Sequence, residues 1–250
     1  MIIETFKNAT IINEDCFNAL PNLNNKVDLI LSDPPYNITA CDWDKSIDLN
    51  KLWVELKKLG KENTPYIFTA SQPFTTDLIN SNRDWFRYEY IWIKTKASNF
   101  QNARRMPMKR HENILVFYKT LPTFNNNLTE LGKPLKNSRK NKGSNLGHCV
   151  DSGNYFQEEA GFKTSDIYFA NPSGAGHLHP TQKPVDLMEY LIETYTNEND
   201  IVLDPFAGSF TTAIACLNSN RKFIGIELSK EYYEIGKKRI VDFTEQSKLF

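Results

Sequence analysis

Apolar positions in this chain recur with two periods, and the two alternate. Short runs of β-branched and aromatic residues, ATIIN at 9–13, VDLILS at 27–32 and YIFTA at 66–70, have the length and composition of buried strands. IDLNKLWVELKKLGK at 47–61 spaces its leucines and Trp53 three to four residues apart, which predicts an amphipathic helix. QPFTTDLINSN at 72–82 reads as a second helix, and YEYIWIK at 88–94 and NILVFYK at 113–119 read as further strands. The last third repeats the alternation: helix at 185–196, strand at 200–206, helix at 211–220, strand at 222–228, and a final helix at 229–243 with Ser229 placed to cap it. Strands alternating with helices predict an α/β fold in which a mostly parallel sheet is covered on both faces.

Between residues 120 and 162 the pattern lapses. This segment is rich in Asn, Gly, Ser and Lys and shows no period. A connection of that length is either a surface insertion or a functional excursion. The expected organisation is one α/β domain made of residues 1–119 and 163–250, interrupted by an insertion at 120–162.

A chain that is 40% hydrophobic and 24% charged is ordinary for a globular protein. It contains no apolar run of membrane-spanning length, and its N-terminus has no basic stretch leading into one. Neither a membrane segment nor a secretory leader is expected, and a cytoplasmic location is the default. Cys16, Cys41, Cys149 and Cys216 are widely separated with no C-x-x-C pair, so free buried thiols are expected and no metal site. The net charge of zero argues against a polyanionic partner until its distribution is considered. The window from Lys94 to Lys142 holds twelve basic and two acidic residues, a local charge of +10 that leaves −10 for the remainder. A basic middle in an acidic body points to a partner.

Two motifs carry chemistry. Asp33-Pro34-Pro35-Tyr36 directly follows a buried-looking strand, where open α/β sheets bind ligands. The prolines stiffen the turn. The Asp33 carboxylate and the Pro34 carbonyl then form two fixed acceptors beside the Tyr36 ring, which suits a planar group bearing an NH2. The second motif runs Asp204-Pro205-Phe206-Ala207-Gly208-Ser209 between a strand and a helix. Gly208 permits close backbone approach, and the N–H groups of the following helix can meet an anionic group. Glu227 closes the next strand 19 residues after Gly208, where an acidic side chain can bind ribose hydroxyls. Asp204 is available to face an ammonium. Together these residues describe a pocket for a nucleoside with a zwitterionic tail. The G-x-G-x-x-G dinucleotide fingerprint is absent.

Taken together, the motifs resemble the amino-group DNA methyltransferases of the N6/N4 DNA methylase family. DPPY is the usual adenine-N6 form of that family's catalytic motif, and Phe206-Ala207-Gly208 matches the start of its F-x-G-x-G cofactor loop. DPPY precedes this loop by 171 residues, an order that resembles the circularly permuted beta group. His179-Pro180-Thr181-Gln182-Lys183-Pro184, Asn13-Glu14-Asp15-Cys16, and the strand Arg110-His111-Glu112-Asn113-Ile114-Leu115-Val116-Phe117 match further strings of the group. The second loop glycine is replaced by Phe210. If that position takes φ > 0, Phe is costly there; the alternative is a helix that begins at Phe210 in ordinary α geometry.

The resemblance implies a Rossmann-like methyltransferase fold with a seven-stranded sheet and S-adenosyl-L-methionine as cofactor. It implies transfer of a methyl group to N6 of a flipped adenine in DNA. Asp33, Pro34, Pro35 and Tyr36 are the expected catalytic residues. The cofactor would be held by Asp15, Cys16, Asp33, Thr181, Gln182, Lys183, Asp204 to Ser209, Glu227 and Leu228. Arg104, Arg105, Lys109, Arg110, Arg139 and Lys140 would contact DNA, and the 120–162 insertion would recognise the target. The resemblance leaves open a homodimer and a cognate restriction endonuclease as partners. N4-cytosine methylation uses the same geometry and stays open, as does a non-catalytic DNA-binding specificity partner, although Asp33, Tyr36, Asp204 and Glu227 speak for an enzyme. RNA or protein N-methylation is disfavoured by the motif order. C5-cytosine methylation is excluded because none of the cysteines follows a proline.

Overall fold

The computed structural model describes residues 1–37, 46–126, 129–138, 154–171 and 182–246. In chain order the elements are β1 (Ile2–Phe6), β2 (Ala9–Asn13), α1 (Cys16–Ala19), β3 (Leu29–Ser32), α2 (Leu49–Leu59), β4 (Tyr66–Ala70), α3 (Phe74–Ser81), β5 (Phe86–Ser98), β6 (Lys109–Phe117), β7 (Thr129–Ser138), β8 (Asn154–Ala160), β9 (Asp166–Phe169), α4 (Val185–Tyr195), β10 (Ile201–Asp204), α5 (Thr211–Asn218), β11 (Lys222–Glu227) and α6 (Lys230–Gln246).

Among the described residues the main sheet has nine strands in the order β1-β2-β11-β10-β3-β4-β6-β5-β9. The run β2-β11-β10-β3-β4 is parallel throughout, β6 is antiparallel to both β4 and β5, and β9 returns parallel to β5. The expected count of seven is corrected to nine by β1 and β9, which occupy the two edges. An edge strand has one neighbour and a half-exposed face, so its apolar signal is diluted: β1 shows Ile2 and Ile3 to solvent, and β9 buries only Ile167.

Alternation along the central strands splits the core in two. Leu29 and Leu31 of β3 pack with Leu187 and Leu191 of α4, Ala213 of α5 and Ile240 of α6. Ile30 of the same strand, with Leu203 and Ile226, packs against Leu52, Trp53 and Leu56 of α2 and Leu78 of α3. Successive side chains of a strand point to opposite faces, which is why both faces carry helices. Ser229 accepts the Tyr232 N–H at 3.4 Å and caps α6 as expected. No described helix is long and apolar enough to cross a membrane.

The chain divides into two compact units: Met1–Phe124 with Ser165–Phe250, and Asn125–Thr164. The second holds the antiparallel ribbon β7–β8, in register from Thr129↔Ala160 to Ser138↔Asn154 with one irregularity between Glu130 and Leu135.

Candidate active site

Parallel pairing brings the carboxyl ends of β2, β11, β10, β3 and β4 side by side along one edge of the sheet. The motifs read separately in the sequence therefore meet. Asp15 and Cys16 follow β2, Glu227 ends β11, Asp204 ends β10, and Asp33 follows β3. Because β6 runs antiparallel to β4, with Asn113 opposite Ala70, its first residues reach the same edge.

Asp33 is the centre of a hydrogen-bonded cluster. Its Oδ1 accepts from the Thr69 hydroxyl at the end of β4 and from the Tyr36 hydroxyl at 2.6 Å, while Tyr36 also lies 2.9 Å from Thr69 Oγ1. Its Oδ2 accepts from Lys183 Nζ at 2.6 Å. Lys183 is 7% exposed and Asp33 24%, so the cation lies beneath a carboxylate that solvent still reaches. Burial works against the Lys183 charge, but the Asp33 and Glu112 carboxylates outweigh it and hold its pKa above the ordinary lysine value. Burial and then the neighbouring Asp33 charge push the Tyr36 phenol well above its usual range, so it remains a neutral donor. One face of Tyr36 stacks on Phe74, centroids 5.3 Å apart and planes at 23°. Pro34 is buried and Pro35 half-buried.

Glu112 extends the cluster. Its Oε1 accepts from Lys94 Nζ, and its Oε2 lies 3.5 Å from Lys183 Nζ. Burial would raise the Glu112 pKa, but the Lys183 and Lys94 charges bring it below the ordinary carboxylate value. Neither Thr69 nor Glu112 was expected as a site residue. The usable signal for Glu112 was an acid placed just before the apolar run of β6.

The loop after β10 is built from within. Asp204 is 2% exposed; its Oδ1 accepts from Ser32 Oγ at 2.5 Å and Phe206 N at 3.1 Å, and its Oδ2 from Thr212 Oγ1 at 2.7 Å. It does not face out toward an ammonium as expected, because Ser32 and Thr212 offer hydroxyls inside the fold; it fixes the loop instead. Glu227 Oε2 accepts from Gly208 N at 2.8 Å and Oε1 from Ser229 N at 2.7 Å. Ala207 N donates to Ile226 O at 2.9 Å, Pro205 and Ser209 are buried, Phe206 is half-buried, and Leu228 is exposed. Asp15 caps α1 by accepting the Phe17 N–H at 2.7 Å, and burial pushes the Cys16 thiol up to about 12. Gly208 has φ +53 with open space on the side where a Cβ would stand. Phe210 takes the left-handed conformation, φ 57 and ψ 39, and is fully buried against Phe223 and Tyr233. It therefore does not open α5 in ordinary α geometry.

Of the expected DNA contacts, Arg104, Arg105 and Arg110 are exposed at the β5–β6 turn or next to it. Lys109 is corrected: its Nζ donates to Ser71 Oγ, so it points inward to the end of β4 rather than out to a partner. Thr181, Arg139 and Lys140 lie outside the described residues. Gln182 is half-buried beside Lys183.

Comparison with known proteins shows the family. The family model described as DNA methylase, of the N6/N4 type, matches residues 27–238. The chain belongs to the N6/N4 DNA methylase family. It is 32% identical over 244 residues to the type II methyltransferase M.HpaI of Haemophilus parainfluenzae, covering 92% of this chain and 73% of that protein. It is also 32% identical over 252 residues to the DNA adenine methyltransferase YhdJ of Escherichia coli, covering 92% and 82%. Among solved structures, the M1.HpyAVI–SAM complex aligns with TM-score 0.65 and 30% identity over 92% of this chain and 99% of that one. The cytosine-N4-specific PvuII DNA methyltransferase, at 15% identity and TM-score 0.67, shares the fold.

This methylase is thus an S-adenosyl-L-methionine-dependent DNA methyltransferase. The residues present suit that cofactor. The backbone at Gly208 is open to a ligand. Glu227 closes β11 beside this loop and binds its backbone at Gly208 N, which places a carboxyl group where hydroxyls of a ligand would lie. Asp15 and Cys16 follow β2, whose last residue, Asn13, pairs with Glu227.

Proposed function

We propose that this methylase transfers the methyl group to N6 of an adenine turned out of the DNA duplex, with Asp33 and the Pro34 carbonyl accepting the two amino N–H bonds. The observation that supports this reading most directly is the Asp33 carboxylate. It is held from below by Lys183, Thr69 and Tyr36, and about a quarter of it stays open to solvent on the edge that carries the Gly208 loop.

When bound, S-adenosyl-L-methionine supplies an electrophilic methyl group with a neutral leaving group. Gly208, Glu227, Asp15 and Cys16 hold it, while Asp204 keeps the loop in shape. The chain's remaining task is to make an aromatic amine nucleophilic. Its lone pair is delocalised into the ring, and two fixed acceptors favour a pyramidal nitrogen with that lone pair free. They also stabilise the positive charge that grows on nitrogen during transfer, without reorganising. Fixing the amine against the methyl group supplies much of the remaining acceleration. The amine is unreachable inside a stacked duplex, so the base must leave it, and the half-buried Tyr36 ring beside Asp33 is the aromatic that would stack on it. Arg104, Arg105 and Arg110 hold phosphates, and the 120–162 segment reads base edges. The names of M.HpaI and other type II relatives support a cognate restriction endonuclease as a cellular companion.

Asp33→Ala is the direct test. Methylation of duplex DNA by the variant should fall by roughly 100-fold or more, the range seen when a preorganised acceptor or donor is lost, with cofactor binding largely kept. Full activity would remove Asp33 from the mechanism. Digesting the wild-type product to nucleosides should yield N6-methyladenine; N4-methylcytosine as the sole product would overturn the choice of base.

A further inference from the structure

Glu112 is a half-buried acid that shares Lys183 with the reacting carboxylate, and nothing in the proposed chemistry uses it. Its Oε1 is held by Lys94, whereas its Oε2 is buried, accepts no hydrogen bond, and lies 3.5 Å from Lys183 Nζ. Lys183 thus has two anionic oxygens in reach and is bonded to only one, Asp33 Oδ2 at 2.6 Å. Asp33 is in the complementary position. Its Oδ1 already accepts the Thr69 and Tyr36 hydroxyls, so an incoming amine must use the remaining lone pair of Oδ2 and share that oxygen with Lys183. A cation fixed on that oxygen opposes the reaction twice: it neutralises the acceptor, and it repels the positive charge growing on nitrogen. A buried carboxylate oxygen without a donor is itself costly, and the cost is relieved if the ammonium moves onto it.

We propose that Glu112 is a positioning residue which draws the Lys183 ammonium off Asp33 Oδ2 as the target amine arrives, leaving the carboxylate's charge to the amine. Lys94, on the other Glu112 oxygen, holds that side chain in place on β6. The inference rests on Asp33 being the acceptor of the amine.

Glu112→Gln keeps the shape of the side chain and removes its charge. In single-turnover methylation of duplex DNA, E112Q should be about 10- to 100-fold slower than wild type, with affinities for S-adenosyl-L-methionine and DNA within about threefold. Removing the ammonium as well should undo part of the damage: the E112Q/K183M double variant should run at least about fivefold faster than E112Q, a non-additivity expected only of coupled groups. A wild-type rate in E112Q, or a double variant no faster than E112Q, overturns the proposal. Should E112Q fail to bind cofactor, the comparison passes to K183M. There the added E112Q change should cost less than about threefold, and a further tenfold loss overturns the proposal. Asp33→Ala in the same assay separates the two readings. Full activity there removes Asp33 and this role of Glu112 together, while loss in D33A with a normal rate in E112Q overturns the role of Glu112 alone.

Discussion

At Asp204 and Glu227, burial outweighs every hydrogen bond made to the carboxylates and raises their pKa values to about 6 and about 7. For Asp204 the consequence for stability has a definite sign. In the unfolded chain it loses its proton near 3.8, but in the fold only near 6. Between those values the folded state still holds a proton that the unfolded state has released, so raising the pH through this window costs stability, and above it the cost is constant. Asp204→Asn removes that slope. In urea denaturation, the stability difference between variant and wild type should move in the variant's favour from pH 4 to 6 and level off above. A difference independent of pH would show that Asp204 is not the titrating group. The sequence marked Asp33, Asp204 and Glu227 as important because acids at strand ends are chemically conspicuous. It could not show that Asp204 turns inward, since its partners Ser32 and Thr212 are, respectively, 172 positions before it and in the next helix.

Among the elements, α5 and α6 depend on one strained residue. Phe210 holds φ 57, a conformation costing about 1–3 kcal/mol for a residue with a Cβ. It is kept there by complete burial of its ring between Phe223 and Tyr233. That ring also fills the place of a side chain at Gly236 in α6, where an added Cβ would overlap Phe210 Cδ2. Gly→Ala in a helix interior normally stabilises by about 1 kcal/mol. Here Gly236→Ala should instead destabilise by about 1–3 kcal/mol through overpacking, read from the urea midpoint at unchanged slope. A stabilised variant would mean that the ring is free to yield. The helices and inner strands were legible because their periods are strong: α2 buries Leu52, Trp53, Leu56 and Leu59 in the spacing that predicted it. β1 and β9 were not, since an edge strand buries too little to impose a pattern, and the left-handed start of α5 depended on contacts with β11 and α6.

For the whole molecule, the neutral net charge conceals an uneven distribution of charge along the chain. Within the +10 window, Lys94 and Lys109 turn inward onto Glu112 and Ser71, while Lys96, Arg104, Arg105, Arg110 and Lys119 remain exposed. Reversing Arg104, Arg105 and Arg110 to Glu should weaken DNA binding and leave cofactor affinity nearly intact. If all three neutralise phosphates, the log–log dependence of DNA affinity on salt should become shallower by roughly 0.9 per contact. An unchanged salt slope would place the DNA elsewhere. Counting charges located a basic stretch of sequence, but only packing distinguished lysines that meet solvent from lysines that turn inward onto Glu112 and Ser71.

The sequence alone determined the α/β architecture, the two motifs and the family they resemble, because hydrophobic period and short-range turn chemistry are local properties of the chain. The tertiary structure decided which groups meet. Asp33, Thr69, Glu112 and Lys183 come from four separate stretches of chain, and only parallel pairing of β3 with β4, the antiparallel return of β6 and the approach to α4 join them into one buried cluster. A buried charge takes its partner from whatever the fold brings within a few ångströms, and no local pattern records that distance.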